Sequence, residues 1–238
     1  MFRHILTLIW NRKGKNALMI AEIFFAFLIL FSVLTFVLYN LNNYREPLGF
    51  ETNQLWLSHL EFEDRDSLEV VQAKINLKQT LLSKPQIAGI AFSHYNSPFG
   101  NSRSMYGSDD NGFYLQSDLF RADIDYKEVA DINVIAGRWF REEDATAKYR
   151  PIVINKKLHE EYFDSKSVLD SVYQISGERK IVGIVDHFKY GGQFEEEVPL
   201  SFLFEPKEAE RCNTINIRLK DGVGLEFEEE LTLSLIHI

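Results

Sequence analysis

The sequence predicts an α+β (mixed α/β) extracytoplasmic domain, in two subdomains, behind a single N-terminal transmembrane helix. Three observations carry this. Ala17 to Tyr39 is an apolar run of 23 residues whose only charged side chain is Glu22. Short apolar strands and amphipathic helices interleave through the rest of the chain. A basic segment precedes the run and an acid-rich one follows it.

The apolar run comes first in the chain. At about 1.5 Å per residue it spans roughly 34 Å as a helix, enough for a hydrocarbon core of about 30 Å. A cleaved signal peptide has a shorter apolar region and a small-residue cleavage site, whereas this run leads into Asn40-Leu41-Asn42-Asn43. Arg3, Arg12, Lys13 and Lys15 precede it with no acid among residues 1–16, while Arg45 and Glu46 cancel just after it. The positive-inside rule places residues 1–16 in the cytoplasm and the main domain outside. Within 1–16, Phe2, Ile5, Leu6 and Ile9 fall on one helical face beside Trp10, as in a helix lying on the leaflet surface.

Beyond residue 39 the chain carries 22 basic against 34 acidic residues, a net charge of −12. Such a domain is repelled by nucleic acid, which excludes that class of partner. Cys212 is the only cysteine, so no internal disulfide is available and the domain must be held by its core.

Strands are expected at 53–62, 87–95, 112–120, 152–154, 172–175, 180–185, 200–204 and 214–219. Asp66 with Glu69 resembles a capping box for a helix closed by Pro85, with Leu68, Val71, Ile75 and Leu82 on its inner face. Residues 96–111 are rich in Ser, Gly and Asn and read as turns around a short strand. Asn155 is placed to cap a helix ending at Phe163, with Leu158 and Tyr162 one turn apart.

No catalytic, cofactor-binding or metal-ligating constellation is present. The chain has no phosphate-binding Gly-x-x-x-x-Gly-Lys loop, no Gly-x-Ser-x-Gly, no His-Glu-x-x-His and no Cys-x-x-Cys. His59, His94 and His159 lack ligand spacing. His187 after Asp186 reads as the polar end of a strand, and Glu195-Glu196-Glu197 as a solvated loop. Gly137 supplies a backbone turn, Arg138 is placed to tie that turn to Asp144, and Cys212 reads as a packing residue.

One stretch has a recognisable order. Gly137-Arg138-Trp139-Phe140 is followed by Asp144, then Ile152-Val153-Ile154-Asn155, Tyr162-Phe163 and Ile181-Val182-Gly183-Ile184-Val185. This order resembles the extracytoplasmic core domain of MacB-like and FtsX-like ABC transporter permeases. The detailed likeness runs over 131–188, and Gly137, Arg138, Trp139, Phe140, Asp144, Asn155, Phe163 and Gly183 are its structural motif residues. On this resemblance, 17–39 is the span, 40–230 the MacB-like periplasmic core domain, and 231–238 a truncated or non-native tail. The family's Gly-x-Pro-x-Gly-Lys segment is replaced here by residues 164–171.

The resemblance implies a permease subunit in the inner membrane, expected here as an N-terminal fragment because such permeases continue into three further spans. It implies no enzyme activity in this chain. ATP would be used by a partner ABC ATPase, and the other partners would be a second permease copy, a periplasmic adaptor or lipoprotein, and membrane lipid. The rival reading is a single-span anchored sensor or binding module. It calls for a cytoplasmic effector, and only about 16 residues precede the span.

Overall fold

Apolar side chains cover every side of the N-terminal helix. In a computed structural model of the chain, α1 runs from Lys13 to Arg45, longer than the apolar run that nucleates it. None of its apolar window is buried within the protein, which sets it apart from the core helix of a soluble domain. Three of its polar side chains return to the helix backbone. Ser32 and Thr35 donate to the carbonyls of Leu28 and Phe31 (2.8 and 2.9 Å), and Asn40 to that of Phe36 (2.8 Å). A helix in hydrocarbon must satisfy its polar groups internally in this way. The structure describes residues 7, 10, 13–62, 66–94, 96–100, 103–110, 113–163, 167–204, 212–224, 226–227 and 231. Most of the surface helix expected over 2–10, and most of the expected 231–238 tail, lie outside them.

Residues 47–238 form a second compact unit. Its elements are β1 (Leu55–His59), α2 (Ser67–Leu82), β2 (Ile87–His94), β3 (Met105–Asp110), β4 (Phe113–Ala122), α3 (Tyr126–Ala130) and β5 (Val134–Gly137). A 3-10 turn (Glu142–Thr146), β6 (Arg150–Asn155), α4 (Lys156–Phe163), β7 (Val172–Gln174), β8 (Glu178–Val185), β9 (Leu200–Leu203) and β10 (Thr214–Leu219) follow. One ten-stranded mixed sheet runs β1-β10-β2-β4-β9-β6-β8-β5, with β3 against β4 and β7 against β8. β4 is parallel to β9, and β6 to β8 across α4. The sheet narrows to two residue pairs between β2 and β4, Ser93 with Ala122 and His94 with Arg121. The strands on either side of this neck are two lobes of one sheet, and residues 47–238 form a single compact unit rather than the two subdomains expected.

Side chains alternate across a strand, so each lobe buries both faces. Ala91, Phe120, Val153, Val182 and Phe202 point to one face, where they pack with Tyr126 and Val129 of α3 and with Phe188. The opposite face carries two cores. Ile90, Phe92, Ile215 and Ile217 meet Leu77 and Leu81 of α2, while Ile152, Ile154, Ile181 and Ile184 meet Leu158 and Phe163 of α4. Residues 152–154 of β6 and 181–185 of β8 are unbroken by polar side chains because both of their faces are covered.

One expectation is corrected here. Asp66 caps α2 through the Glu69 amide (2.9 Å), but the inner face is Val70, Ala73, Lys74, Leu77 and Leu81. Leu68 is 81% exposed, and Ile75 and Leu82 are also outside. The residue assigned to the start of a tail, Leu231, is buried in the core beside α2.

Candidate functional site

Gly137 to Phe140, Asp144 and Gly183 gather at the end of β5 where it crosses β8, while Asn155 and Phe163 lie at the two ends of α4. Gly137 and Gly183 are partners in the β5–β8 ladder, beside an irregularity in its register. Gly137 has φ 69°, and a Cβ there would lie 2.2 Å from the Val182 carbonyl oxygen. A Cβ on Gly183 would lie 2.1 Å from the Arg138 carbonyl oxygen. Only glycine at both positions lets the two backbones approach so closely.

Arg138 leaves this crossing and grips Asp144 with two bonds, Nη1 to Oδ2 at 2.7 Å and Nη2 to Oδ1 at 2.6 Å. Its Nη1 also donates to the Trp139 carbonyl (2.9 Å), and Asp144 accepts the Arg141 amide (2.9 Å). Burial disfavours the Asp144 carboxylate, but these donors outweigh it and hold its pKa below the ordinary range. Trp139 and Phe140 turn inward. Trp139 packs against Phe202 and Phe140 stacks on Phe204, at ring separations of 5.2 and 5.3 Å. A planar guanidinium fork and two aromatic anchors thus fix the chain after β5 in one geometry.

Asn155 locks the neighbouring strand ends. It is fully buried and all four of its side-chain hydrogen bonds are made. Its Oδ1 accepts the amides of Leu158 (3.0 Å) and Leu200 (2.9 Å), and its Nδ2 donates to Glu197 Oε1 (2.9 Å) and the Val198 carbonyl (2.8 Å). One side chain therefore caps α4 and ties it to the start of β9. Phe163, at the far end of α4, packs on Tyr173 of β7 at 4.8 Å.

Glu197 departs from the reading of its run as a solvated loop. Glu195 and Glu196 are exposed, but Glu197 is buried. It accepts the Phe188 amide (2.9 Å), and His187 Nδ1 lies 2.7 Å from its other oxygen. His187 thus ends β8 as a partner of Glu197. Nothing in three consecutive glutamates marks which one turns inward; the signal is Asn155, forty-two residues away.

Two further clusters were not legible in the sequence. Asp118, buried in β4, is bonded to Arg103 Nε (2.9 Å) and to the Tyr190 hydroxyl. Burial, and then the Asp118 bond, raise the Tyr190 pKa above its ordinary value. Asp123, just past β4, accepts the Phe92 amide (2.8 Å) where the ladder to β2 gives out. Cys212 is buried, and burial pushes its thiol up to about 12, as suits a packing residue. Among the described residues no group of three or more His, Cys, Asp or Glu side chains could hold a metal ion.

This geometry is that of a brace, since every charged group at the motif is spent on another part of the chain. Its family follows from comparison. The model of the MacB-like periplasmic core domain matches residues 23–232. The chain belongs to this family. It is a MacB-like periplasmic domain of the ABC transporter permease class, carried behind one apolar helix long enough to cross a membrane. Among solved structures, the periplasmic region of MacB from Actinobacillus actinomycetemcomitans matches with a TM-score of 0.52 and 13% identity, over 82% of this chain and 88% of that one. The extracellular domain of the noncanonic ABC-type transporter YknZ from Gram-positive bacteria matches at 0.48 and 13% identity, over 74% and 86%. The MacB likeness concerns the fold. No curated protein matches the chain in sequence.

Proposed function

We propose that this chain is a permease subunit of an ABC transporter of the MacB, FtsX or lipoprotein-export type. Its N-terminus lies in the cytoplasm. A separate ABC ATPase hydrolyses ATP there, and two permease copies carry the resulting motion to the extracytoplasmic domains, driving efflux or the export of a lipoprotein or peptide. A periplasmic adaptor or the lipoprotein itself is the partner outside.

The observation that carries this reading is the family match over an apolar helix and a braced domain. A part that transmits displacement must not deform, and packed, hydrogen-bonded interiors move as units. The Gly137–Gly183 crossing, the Arg138–Asp144 fork and the saturated Asn155 side chain supply that stiffness.

Orientation is tested with single cysteines at Thr7 and Tyr114 and a membrane-impermeant maleimide. We expect Tyr114→Cys to label from the outside of spheroplasts, and Thr7→Cys only after lysis. The reverse pattern contradicts the reading.

A further inference from the structure

The two lobes of the sheet share a short seam. Between β2 and β4 the ladder holds only Ser93 with Ala122 and His94 with Arg121. Asp123, the next residue of the chain, takes over from it. Its amide donates to the Phe92 carbonyl (3.1 Å), and its side-chain Oδ2 accepts the Phe92 amide (2.8 Å). A carboxyl oxygen thus stands where a third antiparallel pair would place a backbone carbonyl. Residues 123–125 then run as a strap from β4 to α3, and α3 is fastened to the other lobe. Arg218 of β10 donates through Nε to the Val129 carbonyl (2.8 Å), and Lys78 of α2 bonds Asp125. Asp123 therefore ties the strap to β2 where the sheet is narrowest.

The carboxyl at this tie is poorly provided for as an ion. Asp123 Oδ1 is buried without a hydrogen-bond partner, and so is the hydroxyl of Tyr126 three residues on. The groups that face Asp123 are Lys78 from α2, Asp125 in the strap, Tyr126 from α3 and Cys212 ahead of β10. Lys74 of α2 and Arg121 of β4 act on the same Cys212. Lys78 and the backbone amides of Phe92 and Asp125 favour the carboxylate, but burial outweighs them and pushes the group up to about 7. A neutral carboxyl in this place costs far less than a buried, incompletely paired charge. A cleft of about 280 Å³ opens beside the strap, lined by Lys78, Ile90, Asp125, Val129 and Arg218. The end of a two-pair seam next to such a cleft is where water enters at least cost.

We propose that Asp123 is a proton-operated latch between the two lobes. Neutral, it closes the neck of the sheet; ionised, it draws water in, releases the Phe92 amide and lets the strap lift from β2. The latch needs the domain alone and stands apart from the transport reading.

The test is hydrogen exchange on the full chain in detergent from pH 5 to pH 8, each rate divided by the intrinsic chemical rate at that pH. Peptides over 90–94 and 120–126 report the neck, and peptides over 152–154 and 181–185 report the core of the larger lobe. The open form releases a proton that the closed form keeps, so opening becomes about tenfold more frequent per pH unit between about pH 4 and 7. We expect neck protection to fall about 100-fold from pH 5 to pH 7, level off above that, and stay below core protection throughout. Asp123→Asn keeps an acceptor for Phe92 and should abolish the fall. His94→Gln removes the other titrating side chain of the neck and should keep it, and this variant decides if Asp123→Asn fails to fold. Neck amides as protected as the core at every pH overturn the proposal, because only global unfolding then reaches Asp123. So does a neck whose protection is unchanged by pH, falls equally in Asp123→Asn, or no longer falls in His94→Gln.

Discussion

At the scale of single residues, the polar groups of the domain act as fasteners. Asn155 illustrates how sharply. Asn155→Asp keeps the shape, but it removes both Nδ2 donors and sets a second carboxylate against the buried Glu197. Two broken buried hydrogen bonds and an unpaired buried charge together should lower stability by at least about 3 kcal/mol, read as a reduced denaturation midpoint of the full chain in detergent. Asp123 makes a second test. Burial is the main cause of a pKa pushed up to about 7, opposed by the charge of Lys78 and the Phe92 amide. Its Oδ1 is buried without a hydrogen-bond partner. In the unfolded chain the group titrates at about 3.9, so between about pH 4 and pH 7 the native state holds a proton that the unfolded chain has released. Stability should fall as pH rises through that window and level off above 7. Asp123→Asn should flatten this dependence and stabilise more at pH 8 than at pH 5, measured by thermal unfolding at both pH values.

At the scale of elements, the cost of a substitution follows the face it lies on. Leu81 of α2 is fully buried and Leu68 is not. Leu81→Ala should cost about 2–5 kcal/mol through the cavity it leaves, while Leu68→Ala should change stability by less than about 0.5 kcal/mol. Chemical denaturation of the two variants separates them. The sequence reading put Leu68 on the inner face, and the reason for the miss is physical. Leu68, Val71, Ile75 and Leu82 keep helical spacing, but so do Val70, Leu77 and Leu81, and the second stripe passes over Ala73 and the buried stem of Lys74. Short apolar strands were legible because covering both faces requires Ile, Val and Leu in succession, as in 152–154 and 181–185. The Asp66 cap and the Asn155-initiated helix were legible because caps are local. α3 was not, being five residues long and fixed by packing of Tyr126 and Val129. Glu197, Asp118 and Asp123 were not, because their partners lie far away in the chain.

At the scale of the whole molecule, each unit has a physical character suited to its medium. The helix is apolar on all sides, and Ser32, Thr35 and Asn40 return their polar groups to its own backbone. The domain buries both faces of one sheet and spends its motif charges internally. An assembly that converts ATP hydrolysis into work outside the membrane needs a stiff part of this kind. The central claim is that ATP used by a separate ATPase moves this domain. It is tested most directly on the complex purified from native membranes, with an environment-sensitive fluorophore at Tyr114→Cys, an exposed site on β4. An ABC ATPase should co-purify, hydrolyse ATP in a vanadate-sensitive manner, and shift the fluorophore's emission when trapped with ATP and vanadate. A pure chain with no associated ATPase, or an emission spectrum unchanged by trapping in an active complex, would contradict the account.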